Sequence, residues 1–447
     1  MEQKRSTFSG RLGFVLAAAG SAVGLGNIWR FPYLAAKYGG GMFLLVYLVL
    51  VMTVGFSLMV AEIAIGRRTG RSAIGAFRAL NRRYTFIGYL VSAVPFFILP
   101  YYCVVGGWVA KYWAASTLGR GGLLADSGYF DAFVSRPIEP LVWFFLFLTL
   151  TALLVLTGVE KGVEKVCKWM MPVQAVLSVL VAVYVMLLPG AGEGVAYYLK
   201  PDLSRFSIRT VLAAMGQMFF SMSLAMGVMI TYGSYMKEEV NLHTAVRQIE
   251  LFDTGIAFVS GLMVVPAVFA VAGPQALDTG PGLMFVTLPR LFDRMPGGHL
   301  VGTVFFLSVL LAALTSTISM METVVSILQD RWGWSRRGIC VAVWAVVLLA
   351  GVPLSLGYGP WSGFRVLDRH FPDLLDFMTN QILMPVAALL TCLFVGYALG
   401  PRSLIEEARL KRGEAAVFTV VIRYAAPVCI LLILLTSLLS FFGVLQI

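Results

Sequence analysis

Apolar runs of about eighteen residues or more, separated by short polar loops, recur along the whole 447-residue chain. A helix of that length spans the roughly 30 Å hydrocarbon layer of a bilayer. Eleven spans are expected, at 11–38, 42–66, 86–118, 139–157, 166–189, 207–236, 242–274, 298–329, 337–357, 372–399 and 416–445. The implied fold class is an all-α polytopic membrane protein, with residues 1–447 forming a single transmembrane domain.

Two of the spans are irregular. The first reads Gly20-Ser21-Ala22-Val23-Gly24-Leu25-Gly26-Asn27-Ile28-Trp29-Arg30-Phe31-Pro32, which puts three glycines, an Asn and an Arg at bilayer depth. Backbone freed inside a membrane is tolerated only where protein or a water-filled cavity satisfies it, and secondary transporters use such unwound segments to present carbonyls and amides to ions and substrate. Gly20 and Gly24 taken alone also fit a small-xxx-small helix-packing stripe. Asn27 and Arg30 in the same span, Glu62 in the second and Asp253 in the seventh favour function, because intramembrane charges are costly and mark working sites. Glu62 is expected to accept hydrogen bonds from amides that the broken helices release. Five spans later the sixth is interrupted as well, where small residues fall at every second position, Ser221, Ser223, Ala225 and Gly227, which is not one face of a helix. Five spans plus five implies two repeats of opposite topology, 11–190 and 207–399, with the broken helices meeting near the midplane and 416–445 as an additional helix.

Composition agrees with a membrane setting: 59% of residues are hydrophobic and 13% charged. The net charge of +11 is unevenly spread, since 21 of the 34 Lys and Arg fall in one set of loops against nine in the alternate set. The positive-inside rule puts the N-terminus in the cytoplasm and, with an odd number of spans, Ile447 outside. These basic residues are split among short loops and make no continuous face, which argues against nucleic acid and for the lipid bilayer as partner. The five cysteines lie in or at the ends of apolar spans and show neither a disulfide framework nor zinc spacing. The polar, basic opening followed by a long apolar segment without a processing site predicts that the first span is retained.

The run RLGFVLAAAGSAVGLGNIWRFPYLAAKYGGGMFLLVY, followed by AEIAIGRRTGRS, resembles the opening of the neurotransmitter:sodium symporters, whose bacterial members carry amino acids. Further matches are EKGVEKVCKWMMP, QMFFSMSLAMGVMITYGSY, GPGLMFVTLP and LLAALTSTISMMETVV, so that the resemblance extends from about residue 8 to 445. It implies a leucine-transporter-type 5+5 inverted repeat with broken first and sixth helices plus an eleventh helix, in a bacterial cytoplasmic (inner) membrane. It also implies two Na+ sites, made of the oxygens that a hard cation prefers. One takes the carbonyls of Gly20, Val23 and Ala312 and the hydroxyls of Thr315 and Ser316. The other takes the Ala22 carbonyl, the Asn27 amide oxygen, Ser221, Asp253 and the carboxylate of the substrate. Thr317 and Ser319 are instead expected to bond back to the preceding helical turn.

For the substrate the resemblance implies an α-amino acid. Its carboxylate meets the amides of Leu25 and Gly26, at the positive end of the second half-helix, and the hydroxyl of Tyr102. Its ammonium meets carbonyls of Ala22, Phe220 and Ser221 and the hydroxyl of Ser223. The side chain is expected among Ile98, Val105, Phe220, Ser223, Met226, Ser316 and Met320, a lining without charge that rejects charged side chains and is deformable through its methionines. The implied gates are Arg30 with Asp376 on the outside and Arg5 with Asp330 on the inside, the latter beside Phe8, Ser234 and Tyr235. Gly162 and Pro172 bracket a stretch expected to unwind. Asp253 supplies a fixed negative charge where animal members are thought to recruit chloride, so no chloride requirement is expected. The resulting expectation is sodium-coupled, chloride-independent import of a hydrophobic L-amino acid by alternating access. An amine or osmolyte symporter, or an ion channel on the same helices, is the alternative. An enzyme is not expected, because His243, His299 and His370 all fall in loops without a metal or nucleophile set.

Overall fold

The computed structural model describes residues 7–271, 280–366 and 369–442. Nine of its helices are long and apolar enough to cross a membrane: Gly41–Thr69, Arg82–Thr117, Glu139–Leu156, Val159–Met186, Leu242–Val271, Gly298–Trp332, Arg336–Leu356, Phe371–Leu399 and Arg412–Phe441. A tenth crossing is the pair Arg11–Ala22 and Gly26–Lys37, bent by 56° at the break. The remaining expected span, 207–236, is present as two helices too short to cross alone, Ile208–Ser221 and Val228–Gly233, separated by six unwound residues. Its interruption is therefore longer than that of the first span. The described secondary structure is otherwise short loop helices and one two-residue hairpin pairing Arg365 with His370 and Val366 with Arg369.

Burial separates centre from rim. In the span Gly298–Trp332, 78% of the apolar window is buried, against 39% in Glu139–Leu156, Val159–Met186, Arg336–Leu356 and Arg412–Phe441. The rim helices turn apolar side chains such as Leu153, Val176, Leu349 and Leu431 outward, which suits lipid as the solvent. At the centre, the eighth span packs along the third, Arg82–Thr117, and against the Arg11–Ala22 and Val228–Gly233 halves of the two broken helices. The third span continues through Pro95 and Pro100 as one helix, and the second of these prolines immediately precedes Tyr101 and Tyr102. The fifth span begins with a wide π-type turn, Val159–Glu164, before running on through Pro172.

Candidate functional site

The break in the first span is held by its own side chains. Val23 leaves the helix with extended backbone, and Asn27 Oδ1 accepts from Gly24 N at 3.1 Å while Asn27 N donates to Gly24 O at 3.1 Å. Gly24 is required by closeness: a Cβ there would stand 2.6 Å from the Tyr102 hydroxyl and 2.7 Å from Ser316 Oγ. In the sixth span, Ser223, Ala225 and Gly227 have φ of 51°, 59° and 71°. The alternate small residues are thus explained by alternate left-handed positions, which cost about 1–2 kcal/mol for a residue other than Gly. Glu62, 3% exposed, takes one of the released amides, Ala225 N, at 2.6 Å.

Between the two breaks lies a narrow cavity of about 20 Å³. Ala22, Gly26, Ile98, Tyr102 and Phe220 line it, and so do Ser223, Met226, Ser316 and Met320; no ionisable carboxylate or base is on its wall. Ser21, Gly24 and Asn27 complete the lining. The expectation for Val105 is corrected, because this half-buried residue lies outside the wall. The Ser221 side chain is also turned away, toward Asp253. Leu25 contributes its backbone: its N–H donates to the Tyr102 hydroxyl at 2.9 Å, which leaves the tyrosine proton available to a further acceptor. Ser223 Oγ donates to Ser21 O at 2.9 Å and so ties the sixth break to the first.

Two oxygen clusters flank the cavity. On one side Ser316 Oγ donates to Ser21 O at 3.2 Å and Val23 O at 3.3 Å, and Thr315 Cβ stands 3.3 Å from where a Gly20 side chain would begin. Gly20, Val23, Thr315 and Ser316 are thereby brought together, with Ala312 one turn before Ser316. Thr315 Oγ1 bonds back to Leu311 O at 3.2 Å and Ala312 O at 3.1 Å, as Thr317 and Ser319 do to their own preceding turns. Back-bonding uses the hydroxyl proton and leaves its lone pairs free, so it is compatible with cation ligation.

On the other side Asp253, with 0% exposure, accepts from Ser221 Oγ at 2.9 and 3.0 Å and from Asn27 Nδ2 at 2.7 Å. The expected Asn27 amide oxygen is corrected: the NH2 faces the carboxylate, because an ionised acceptor draws the donor side of the amide, and the oxygen caps Gly24 instead. Tyr47 was missed by sequence reasoning; its hydroxyl donates to Asp253 Oδ2 at 3.4 Å and Ser221 Oγ at 3.3 Å. The one available signal was a phenol in the middle of an apolar run. Gln217 was missed too, and its Nε2 donates to Gly26 O at 2.9 Å.

The outer gate differs from expectation. Arg30 and Asp376 make no direct ion pair within 4.0 Å; the guanidinium sits 5.1 Å from the Phe220 ring centroid, and Asp376 accepts from Asn380 Nδ2 at 2.7 Å. The cation lies against a π face and the carboxylate accepts from an amide in place of a direct pair. At the opposite, basic end Arg5 lies outside the described residues, while Asp330 accepts from Ser72 N at 2.8 Å and Ser72 Oγ at 2.6 Å. Phe8, 1% exposed, packs edge-on to Tyr232 and Tyr235 and donates its N–H to Tyr235 O at 3.0 Å. Two further clasps there had not been anticipated. Glu164 accepts from Ser9 N at 2.8 Å, from Ser9 Oγ and from Lys168, and buried Glu322 joins Arg336 to the Tyr235 hydroxyl.

The family model "Sodium:neurotransmitter symporter family" matches residues 5–120 and 138–445. The crystal structure of MhsT in complex with L-phenylalanine superposes with a TM-score of 0.87 at 36% identity, covering 97% of this chain and all of that one. The sodium-dependent transporter YhdH of Bacillus subtilis is 34% identical over 98% of this chain and 100% of its own length. A sodium-dependent transporter of Methanocaldococcus jannaschii is 32% identical over 90% of this chain and 84% of its own. The sodium- and chloride-dependent taurine transporter of Bos taurus is 28% identical over 82% of this chain and 68% of its own.

Proposed function

The chain belongs to the sodium:neurotransmitter symporter family, and from that premise we propose that it imports a hydrophobic L-amino acid, aliphatic or aromatic, by alternating access and without a chloride requirement. It is a sodium-dependent membrane symporter of the leucine-transporter-type fold and not an enzyme. The observation that carries the substrate class is the cavity wall, where apolar Ile98, Phe220, Met226 and Met320 stand opposite backbone and hydroxyl groups. A lysine or glutamate side chain placed there is buried without a countercharge, whereas an apolar one is not penalised. MhsT, whose structure holds L-phenylalanine, supports the same class.

Each end of a zwitterion has its own set of groups. The second half of the first span, from Gly26, directs its positive end into the cavity, where a carboxylate is stabilised. Tyr102, already an acceptor for Leu25 N–H, donates its proton to that carboxylate. Carbonyls at Ala22, Phe220 and Ser221 and the hydroxyl of Ser223 receive the ammonium. One co-transported sodium is bound by Gly20, Val23, Ala312, Thr315 and Ser316, the other by Ala22, Ser221 and Asp253 with the substrate carboxylate. The buried carboxylate of Asp253 is the fixed anion that makes chloride unnecessary. The two repeats, 11–190 and 207–399, rock about these sites, the basic loops facing the cytoplasm of a bacterial inner membrane and the chain end lying outside.

The test is uptake of radiolabelled amino acids by proteoliposomes under an inward sodium gradient, with choline and gluconate substitutions. Apolar amino acids should accumulate and compete with one another, and the double replacement of Thr315 and Ser316 by Ala should abolish the sodium response. Competition by lysine or glutamate, or preferential uptake of taurine or an amine, refutes the substrate class.

A further inference from the structure

The Gln174 side chain is 1% exposed, and neither its Oε1 nor its Nε2 has a hydrogen-bond partner. A primary amide offers two donors and an acceptor oxygen, and each buried group left unmatched costs about 1–3 kcal/mol. Native proteins meet such groups with an ordered water or an ion. What surrounds Gln174 identifies which.

One contact and one shared neighbour set the register between the fifth and eighth spans. Ser178 Oγ and Ser308 Oγ lie 2.9 Å apart, and Met171 Sδ and Thr315 Cβ both stand 3.3 Å from where a Gly20 side chain would begin. Residue numbers fall along one helix as they rise along the other, so the two run antiparallel in step. Gln174, one turn before Ser178, is therefore level with Ala312, one turn after Ser308. Met171, Gln174 and Ser178 share one buried helix face, so the unmatched amide lies on the same seam as the Gly20–Thr315 contact.

We propose that Gln174 is a further residue of the sodium site between Gly20 and Thr315, its amide holding a water against the ion beside the Ala312 carbonyl. The proposal rests on the assignment of that sodium site. The five protein oxygens named there are at the lower limit of what a hard cation takes, about five or six, and a water fixed by Gln174 supplies the next.

The experiment measures binding of radiolabelled sodium to the purified protein, alongside its melting temperature with and without sodium. In Gln174→Leu the sodium concentration for half-saturation should rise about tenfold, as for the loss of a group that supports a metal's ligands. The melting temperature without sodium should stay level or rise, since an apolar side chain leaves nothing unmatched. Gln174→Glu should shift sodium binding the opposite way, toward tighter, which loss of packing alone would not produce. Gln174→Met gives the same reading if the leucine variant folds poorly. Unaltered sodium binding in the apolar variants overturns the role of Gln174. Unaltered sodium binding after replacing Thr315 and Ser316 by Ala is a different failure and overturns the site itself.

Discussion

Asp253→Asn separates a sodium ligand from a packing residue. The carboxylate is fully buried and its hydrogen-bond partners, Asn27, Ser221 and Tyr47, are all neutral. An ionised group at that depth is costly when no countercharge is near, and a cation held between it and the first-span carbonyls removes the cost. Two unit charges roughly 4 Å apart attract by about 4 kcal/mol at the effective dielectric of protein sites. About half of that is returned when the carboxylate no longer has to be desolvated, leaving about 2 kcal/mol, or roughly 30-fold in sodium affinity. The fold should survive, because the introduced amide can turn its oxygen to Asn27 Nδ2 while the Ser221 and Tyr47 hydroxyls rotate to accept from its NH2.

The assay is equilibrium binding of a radiolabelled apolar amino acid to purified protein across a sodium series, with choline as the replacing cation and gluconate as the anion. The half-saturating sodium concentration should rise about 30-fold in the variant and fall back in part when chloride is restored, a mobile anion standing in for the fixed one. Wild-type binding should not distinguish chloride from gluconate. A sodium dependence in the variant within about threefold of wild type, or wild-type uptake that collapses in gluconate, would falsify the assignment of Asp253.

Other replacements probe the geometry around the site. Gly24→Ala forces a methyl against the Tyr102 and Ser316 hydroxyls, an overpacking of about 1–3 kcal/mol, and uptake should fall at least tenfold in a protein that still purifies as a folded monodisperse species. Arg336→Ala strands the buried Glu322 carboxylate, and the expected loss of about 3–5 kcal/mol should appear as a clear drop in melting temperature, with Glu322→Gln in the same background recovering part of it. Glu164→Gln keeps an acceptor for Ser9 N–H but loses the charge opposite Lys168; uptake should persist while cysteine labelling of a reporter placed near Phe8 speeds up several-fold.

How far the site can be read from sequence depends on whether its features are periodic or pairwise. Apolar run length alone located nearly every span, because lipid imposes one repeat on all of them. The breaks were legible for a related reason: Gly20 to Gly26 and Ser221 to Gly227 place small residues where no helix face lies, and left-handed backbone at Ser223 and Ala225 is what that spacing serves. Tyr47, Gln217 and Gln174 were not legible. Each is a single polar side chain on an otherwise apolar helix, and its meaning comes from an atom far along the chain: Asp253 for Tyr47, the Gly26 carbonyl for Gln217 and, for the role proposed for Gln174, the register with Ala312. The direct Arg30–Asp376 pair is absent for the same reason, since Arg30 lies against the Phe220 ring and Asp376 accepts from Asn380, contacts that spacing could not foresee.

The two ends of the molecule are closed by different physics, and the difference bears on the order of events. At the basic end the segment entering the first span is held by hydrogen bonds to a carboxylate, Ser9 to Glu164, and by the amine of Lys237 on Ser9 O at 3.1 Å, while Arg336, Glu322 and Tyr235 tie the eighth and ninth spans to the sixth. Bonds to charged groups contribute about 1.5–3 kcal/mol each. At the other end the cavity is overlain by half-buried Phe220 with Arg30 above its face, an interaction worth about 0.5–2 kcal/mol, and no ion pair joins Arg30 to Asp376. The basic side thus carries more charge-assisted bonds, while on the other side Asn380 Nδ2 donates to Tyr101 Oη at 2.7 Å and links the tenth span to the third. On the proposed orientation, with those loops cytoplasmic, ions and substrate would enter first from outside, and a sodium at the proposed site of Gly20, Val23 and Thr315 would then bind the first and eighth spans together. On the same proposal, release to the cytoplasm would need the Glu164 clasp to give way where the fifth span begins with its wide turn, Val159–Glu164, so that one local unwinding would free both the N-terminal segment and the helix that carries Gln174.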